Sequence, residues 1–108
     1  MEENREKNIQ NKVIVVTGGS RGIGVAIVKL LANEGYHVIL NYNQSKEAAE
    51  NVKQELKQQG KEIDIFKADV SKREEVKGLI QFVIEKYKKI DVLINNAGIA
   101  QEKLFTQI

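Results

Sequence analysis

Four glycines crowd the stretch VTGGSRGIG, three of them at Gly18, Gly22 and Gly24, directly after an unbroken apolar run and directly before an amphipathic pattern. So little side chain in one turn lets backbone approach a ligand closely, and a helix starting there aims its unpaired amide donors outward. An anion is the natural occupant, because the helix macrodipole adds to those donors. Strand, glycine loop and helix, in that order, form the context in which a dinucleotide fingerprint carries meaning. The spacing is G-x-x-x-G-x-G rather than the commoner G-x-G-x-x-G. The physical demands are the same: a tight turn, close approach to a pyrophosphate, and a helix amino terminus beyond it. A plain strand-to-helix turn also uses glycine, so the loop needs support from the rest of the chain.

Other chemistry-bearing residue types are thin. There is no cysteine, which leaves no disulfide framework and no thiolate metal site. The single histidine, His37, opens an apolar run without a second ligand, so no metal is expected. The net charge is +2, with lysines spread along helical faces rather than gathered in one stripe, which argues against a nucleic-acid partner. No apolar run approaches the ~20 residues of a membrane span. Met1–Gln10 is too polar for a signal peptide. The expectation is a cytoplasmic protein with neither a membrane nor a nucleic-acid partner.

The elements that must position the glycine loop follow from periodicity. Residues 1–11 are charged and aperiodic, a terminus expected to fray, and residues 12–108 read as one domain. Lys12–Gly18, His37–Tyr42, Ile63–Ala68 and Asp91–Asn95 read as short apolar strands. Between them lie three helical patterns. Gly22–Glu34 carries Ile23, Ala26, Ile27, Leu30 and Leu31 at helical spacing, with Gly35 at the cap. Ser45–Gln59 sets Ala49, Val52 and Leu56 on one face, closed by Gly60. The third helix opens with Ser71 and Glu74 spaced as a capping box, followed by Val76, Leu79, Ile80, Val83, Ile84 and Tyr87. The order βαβαβαβ predicts an α/β fold: a Rossmann-like doubly wound parallel sheet, present as a half fold. Right-handed crossovers put the first two helices on one face and the third on the other, giving strand order 3-2-1-4. The first and fourth strands then flank the topological switch point, where such sheets bind ligands.

TGGSRGIG together with NNAG at Asn95–Gly98 resembles the short-chain dehydrogenase/reductase family, and ADV at Ala68–Val70 falls where that family contacts adenine. The wording around these motifs is most similar to the 3-oxoacyl-acyl-carrier-protein reductases, with sugar-alcohol dehydrogenases as a related group. The resemblance implies that Gly18, Ser20, Gly22 and Gly24 belong to the pyrophosphate loop, with Ile23 reaching toward the nicotinamide. It implies an adenine contact from Asp69 and packing from Val70. Asn96, Ala97 and Gly98 would line the ribose beside the nicotinamide, and Asn95 would help hold the fourth strand. Two readings stay open at Asp69, an adenine partner or the opener of the turn before Ser71, and Asn95 is equally a structural or a ligand-binding residue.

Charge decides between the two nicotinamide cofactors. A site specific for NAD usually carries an acid at the end of the second strand. That place holds Asn41, Tyr42 and Asn43, and no carboxylate there repels a 2′-phosphate. The resemblance aims Arg21 at that phosphate, which the planar guanidinium fork suits, and Asn43 and Ser45 add donors. NADP(H) is therefore preferred, with NAD(H) possible.

The family's catalytic tyrosine, the lysine four residues after it and a serine lie beyond the fourth strand, and this sequence stops at Ile108 before them. Tyr42 and Lys46 have the spacing Y-x-x-x-K, but they fall at the adenosine end of the site and are rejected as catalytic. The expected role is the NADP(H)-binding portion of a ketone reductase, itself inactive, whose full-length parent would take acyl-carrier protein as partner. Alternatives are a non-catalytic nucleotide-binding or interaction module, or a sugar or polyol dehydrogenase. With one helix on the second face, apolar side chains of VIVV and VLIN are expected to face open space, and self-association is expected through the fourth-strand side.

Overall fold

The protein is described by a computed structural model covering residues 12–18 and 22–96. Its elements are β1 (Val13–Val16), α1 (Gly22–Asn33), β2 (His37–Tyr42), α2 (Lys46–Gln58), β3 (Asp64–Lys67), α3 (Arg73–Tyr87) and β4 (Val92–Ile94). The four strands form one sheet in the order β3-β2-β1-β4, and every pairing is parallel. Val13 stands opposite His37, Ile14 opposite Val92, and Ile39 opposite Asp64.

Alternation along the strands divides the core into two layers. Ile14 and Val16 of β1, with Val38, Leu40 and Tyr42 of β2, pack against Val28 and Ala32 of α1 and against Ala49, Val52 and Leu56 of α2. Val13, Val15 and Ile39 point the other way, onto Leu79 and Val83 of α3, with the Phe66 and Phe82 rings tilted against each other at 4.9 Å between centroids. Two helices therefore share one face and the third covers the other, as the right-handed crossover requires.

Three expectations need correction. The VIVV strand does not face open space: all four residues are buried, because α1 covers one side of β1 and α3 the other. Only the edge strand keeps the exposed character, with Val92 and Leu93 40% and 39% exposed. The buried line of α1 is Gly24, Val28 and Ala32, flanked by Val25, Ile27 and Leu31, whereas Ile23, Ala26 and Leu30 lie outside. An apolar residue set of this density fits two adjacent helical stripes, and the sheet takes the one with the smaller residues, which lets helix and strand approach closely.

The third correction concerns the cap of α3. Lys72 occupies the N-cap position, without a side-chain cap bond, and Ser71 and Glu74 do not form the reciprocal box. Instead the Asp69 carboxylate accepts from the Ser71 hydroxyl at 2.6 Å and from the Ser71 amide at 3.0 Å. Glu75, one residue later than the box requires, accepts the Asp69 amide at 2.8 Å. A local Asx turn has outcompeted the cap.

Candidate functional site

The carboxyl ends of the strands meet at a layer of polar residues between β1 and β4. Asn96 donates its amide to the Thr17 hydroxyl at 2.9 Å, and its Nδ2 donates to the Gly18 carbonyl at 3.2 Å. The Thr17 hydroxyl lies 3.2 Å from Asn95 Oδ1. Asn95 Nδ2 is buried and has no hydrogen-bond partner among the described residues. On the other side of Gly18, its amide donates to Asn41 Oδ1 at 3.4 Å. The turn is thus held from β2 and from β4, and Gly18 sits at φ +63°, a left-handed conformation that glycine adopts without strain.

Gly22 begins α1 at φ +57°, and a Cβ placed on it would meet nothing within 4 Å among the described residues. A 12-residue helix begins here with no acidic residue in its first turn, so its amino terminus keeps its favour for anions. Ile23, in that first turn, is 73% exposed. Ser20 and Arg21 of the loop, and Ala97 and Gly98 after β4, lie outside the described residues.

At the far end of the same sheet edge, Tyr42, Asn43, Asp69, Lys46, Lys67 and Lys72 line a cleft of about 550 Å³, which Gln44 and Glu75 complete. Ser45 stands at the N-cap of α2 with its hydroxyl unspent on the helix. The two hydrogen bonds from Ser71, helped by the charge of Lys72, hold the Asp69 carboxyl below the usual carboxylate range. Both Ser71 bonds use Oδ1, which leaves Oδ2 as an acceptor for an amino group. Val70 is buried beside it. A smaller cavity of about 270 Å³ opens at the amino end of β3, away from the glycine loop. Its lysines and carboxylates face two helix carboxyl termini, where cations are at home.

Glycine turn, helix amino terminus, free Asp69 oxygen and basic cleft follow one another along the carboxyl edge, and together they suit a dinucleotide. A model of the short chain dehydrogenase family matches residues 12–108. The chain belongs to this family. It is 46% identical over 98 residues to the 3-oxoacyl-[acyl-carrier-protein] reductase FabG of Staphylococcus epidermidis, covering 91% of this chain and 40% of that protein. Among solved structures, a dehydrogenase/reductase from Sinorhizobium meliloti superposes with a TM-score of 0.76 at 37% identity, over 86% of this chain and 39% of that one. A short chain dehydrogenase from Burkholderia cenocepacia, solved in complex with NADP, gives 0.77 at 40% identity, over 84% and 37%. The chain therefore spans about two fifths of the relatives it matches.

For this short-chain dehydrogenase family member, two groups of residues escaped the reading of motifs. Lys67 and Lys72 join Lys46 around the cleft at the end of β2 although they come from separate segments. Their signal was the family's adenine motif, since Lys67 and Lys72 flank ADV in sequence. Asn41 had been read only as a place without a carboxylate, yet its side chain contacts the glycine turn.

Proposed function

We propose that this chain is the NADP(H)-binding portion of a short-chain reductase. The observation that carries the reading is the cleft at the end of β2, where Lys46, Lys67 and Lys72 outnumber Asp69 and Glu75 and no acid stands on β2 itself. A 2′-phosphate gains from that balance, from the amino terminus of α2 and from Arg21 in the loop, whereas a ribose hydroxyl finds no carboxylate on β2 to bind. The glycine turn and the start of α1 would hold the pyrophosphate, Asp69 the adenine amino group, Val70 the adenine face, and Asn96, Ala97 and Gly98 the nicotinamide ribose. In the full-length parent, a cofactor held by these residues would supply the hydride for reduction of a carbonyl carbon. NAD(H) remains the weaker ligand.

The proposed parent reaction is reduction of a 3-oxoacyl thioester, in the cytoplasm and with acyl-carrier protein as partner. It is supported by the similarity to the staphylococcal reductase. Residues 1–108 alone are proposed to turn nothing over. Tyr42 and Lys46, the one Y-x-x-x-K pair in the sequence, border the adenosine-end cleft, and Tyr42 is buried in the α1–α2 side of the core. A second reading, a non-catalytic module that pairs with itself, is favoured by the exposed Val92 and Leu93 on the edge strand.

Fluorescence titration with NADPH and NADH tests the cofactor. Tighter NADPH binding supports the reading, and equal or reversed affinities overturn it. Assay with acetoacetyl thioesters tests inactivity: turnover that survives purification and vanishes in Tyr42→Phe would mean the pair is catalytic after all.

A further inference from the structure

Asn41 is 2% exposed, set between Leu40 and Tyr42 on a strand of the central sheet. A buried side-chain amide costs free energy unless its donors and acceptor are matched. Here they are. Nδ2 donates toward the carbonyls of Ala68 at 3.0 Å, Phe66 at 3.3 Å and Tyr42 at 3.4 Å, and Oδ1 accepts the Gly18 amide at 3.4 Å. No single bond of this set is short, so the importance lies in what they join. Gly18 opens the turn assigned to the pyrophosphate, and Ala68 precedes Asp69 on the wall assigned to adenine. The strands themselves do not need this link. β2 already pairs with β1 and β3 through the ladders, and both helix layers cover them.

We infer that Asn41 is a positioning residue for the dinucleotide, its buried amide holding the phosphate turn at Gly18 and the adenine wall at Ala68 at one fixed spacing. The inference rests on the cofactor reading above. A ligand whose halves are joined through a pyrophosphate must meet both surfaces at once, so it gains from a preset distance between them. A fragment that touches one surface does not. The residue type is also constrained. Aspartate would keep an acceptor for Gly18 but set a carboxylate oxygen against three carbonyls, and valine would leave the Gly18 amide and the carbonyls without a side-chain partner.

The test compares NADPH, which spans both surfaces, with adenosine 2′-monophosphate, which has no 5′-phosphate and reaches only the adenine wall. Both are titrated into the wild-type chain, Asn41→Val and Asn41→Asp, alongside amide exchange at Gly18 measured by NMR. In Asn41→Val, NADPH affinity is expected to fall about tenfold, adenosine 2′-monophosphate affinity to stay within about twofold, and Gly18 exchange to quicken. Asn41→Asp should lose NADPH affinity while keeping Gly18 protected. Where the valine variant does not fold, Asn41→Ser takes its place, since its hydroxyl is too short to bridge both sides. In the uncharged variant, equal losses for NADPH and adenosine 2′-monophosphate, or no loss for either, overturn the inference and leave the cofactor reading standing. Wild-type chain that binds neither ligand overturns both.

Discussion

Burial pushes the Tyr87 phenol above the ordinary tyrosine range, and the hydrogen bond it donates to the Asp64 carboxylate adds to the effect. With the folded-state pKa above the unfolded value of about 10, the contribution is fully present below that pH and is lost progressively as pH rises from there through the folded pKa. The melting temperature should therefore drop as pH rises past ~10. Tyr87→Phe should lose that contribution to the alkaline fall, as thermal melts on both proteins would read. Asp91 runs the opposite way. The Val13 amide donates to its carboxylate at 2.7 Å, and Lys89 assists, so its pKa is lowered. Its contribution is present above the unfolded value of about 3.9 and is lost on acidification. The stability gap between wild type and Asp91→Asn should accordingly close below about pH 4 in acid melts. In the loop, Arg21→Glu should weaken NADPH far more than NADH, because it replaces a phosphate partner with a like charge; equal losses on titration would detach Arg21 from the 2′-phosphate. The glycine pattern and ADV were legible because each is contiguous and carries its own spacing. The role of Asn41 was not, since its partners Gly18 and Ala68 lie 23 and 27 residues away in sequence.

Among the elements, strands and helices could be read to within a residue or two at each end, because β and α periods alternate without ambiguity along 12–96. The facing of α1 could not. Ile23, Val25, Ile27, Val28, Leu30 and Leu31 surround the helix with apolar residues, and only the approach distance to the sheet selects Gly24, Val28 and Ala32. On the opposite face α3 is the only helix among the described residues, so none of the described helices beside it can compensate for its anchor. Leu79→Ala, at a position 1% exposed, should cost about 2–5 kcal/mol in denaturant unfolding. The end of the same helix offers a gain. Lys88 caps it at φ +71°, a left-handed conformation that strains a residue with a Cβ. Lys88→Gly should raise stability by roughly 1 kcal/mol, read from the same unfolding curves.

For the whole molecule, association is expected to turn on the edge formed by β4. Val92 and Leu93 are exposed on a strand whose outer row of backbone groups has no partner strand among the described residues, and Ile84 and Leu30 add apolar surface on the two helix layers. Unguarded edges of this kind pair with other chains. We expect residues 1–108 to sediment as a dimer or larger species, and Leu93→Glu to shift the population toward monomer. A dilution-resistant monomer that unfolds cooperatively would rule this out. The full extent of that surface was not legible in advance, because solvent exposure of β1 depends on how far α1 and α3 reach across it, a matter of packing rather than pattern.

The parallel order of the sheet also sets a sequence of events in time. β1 meets β2 across a single crossover, but β1 meets β4 only across 78 residues, as the Val13–Asp91 bond records. Closing a span about three times longer costs roughly 1 kcal/mol more chain entropy, before any helix has formed to shorten it. The β1–α1–β2–α2–β3 unit is thus the natural nucleus, and the edge strand joins a sheet that already exists. Trimming Val92 or Leu93 to alanine should speed unfolding and leave the refolding rate almost untouched, whereas Ile39→Val in the centre should slow refolding. During synthesis the phosphate turn would then exist before the strand that completes its far wall has left the ribosome.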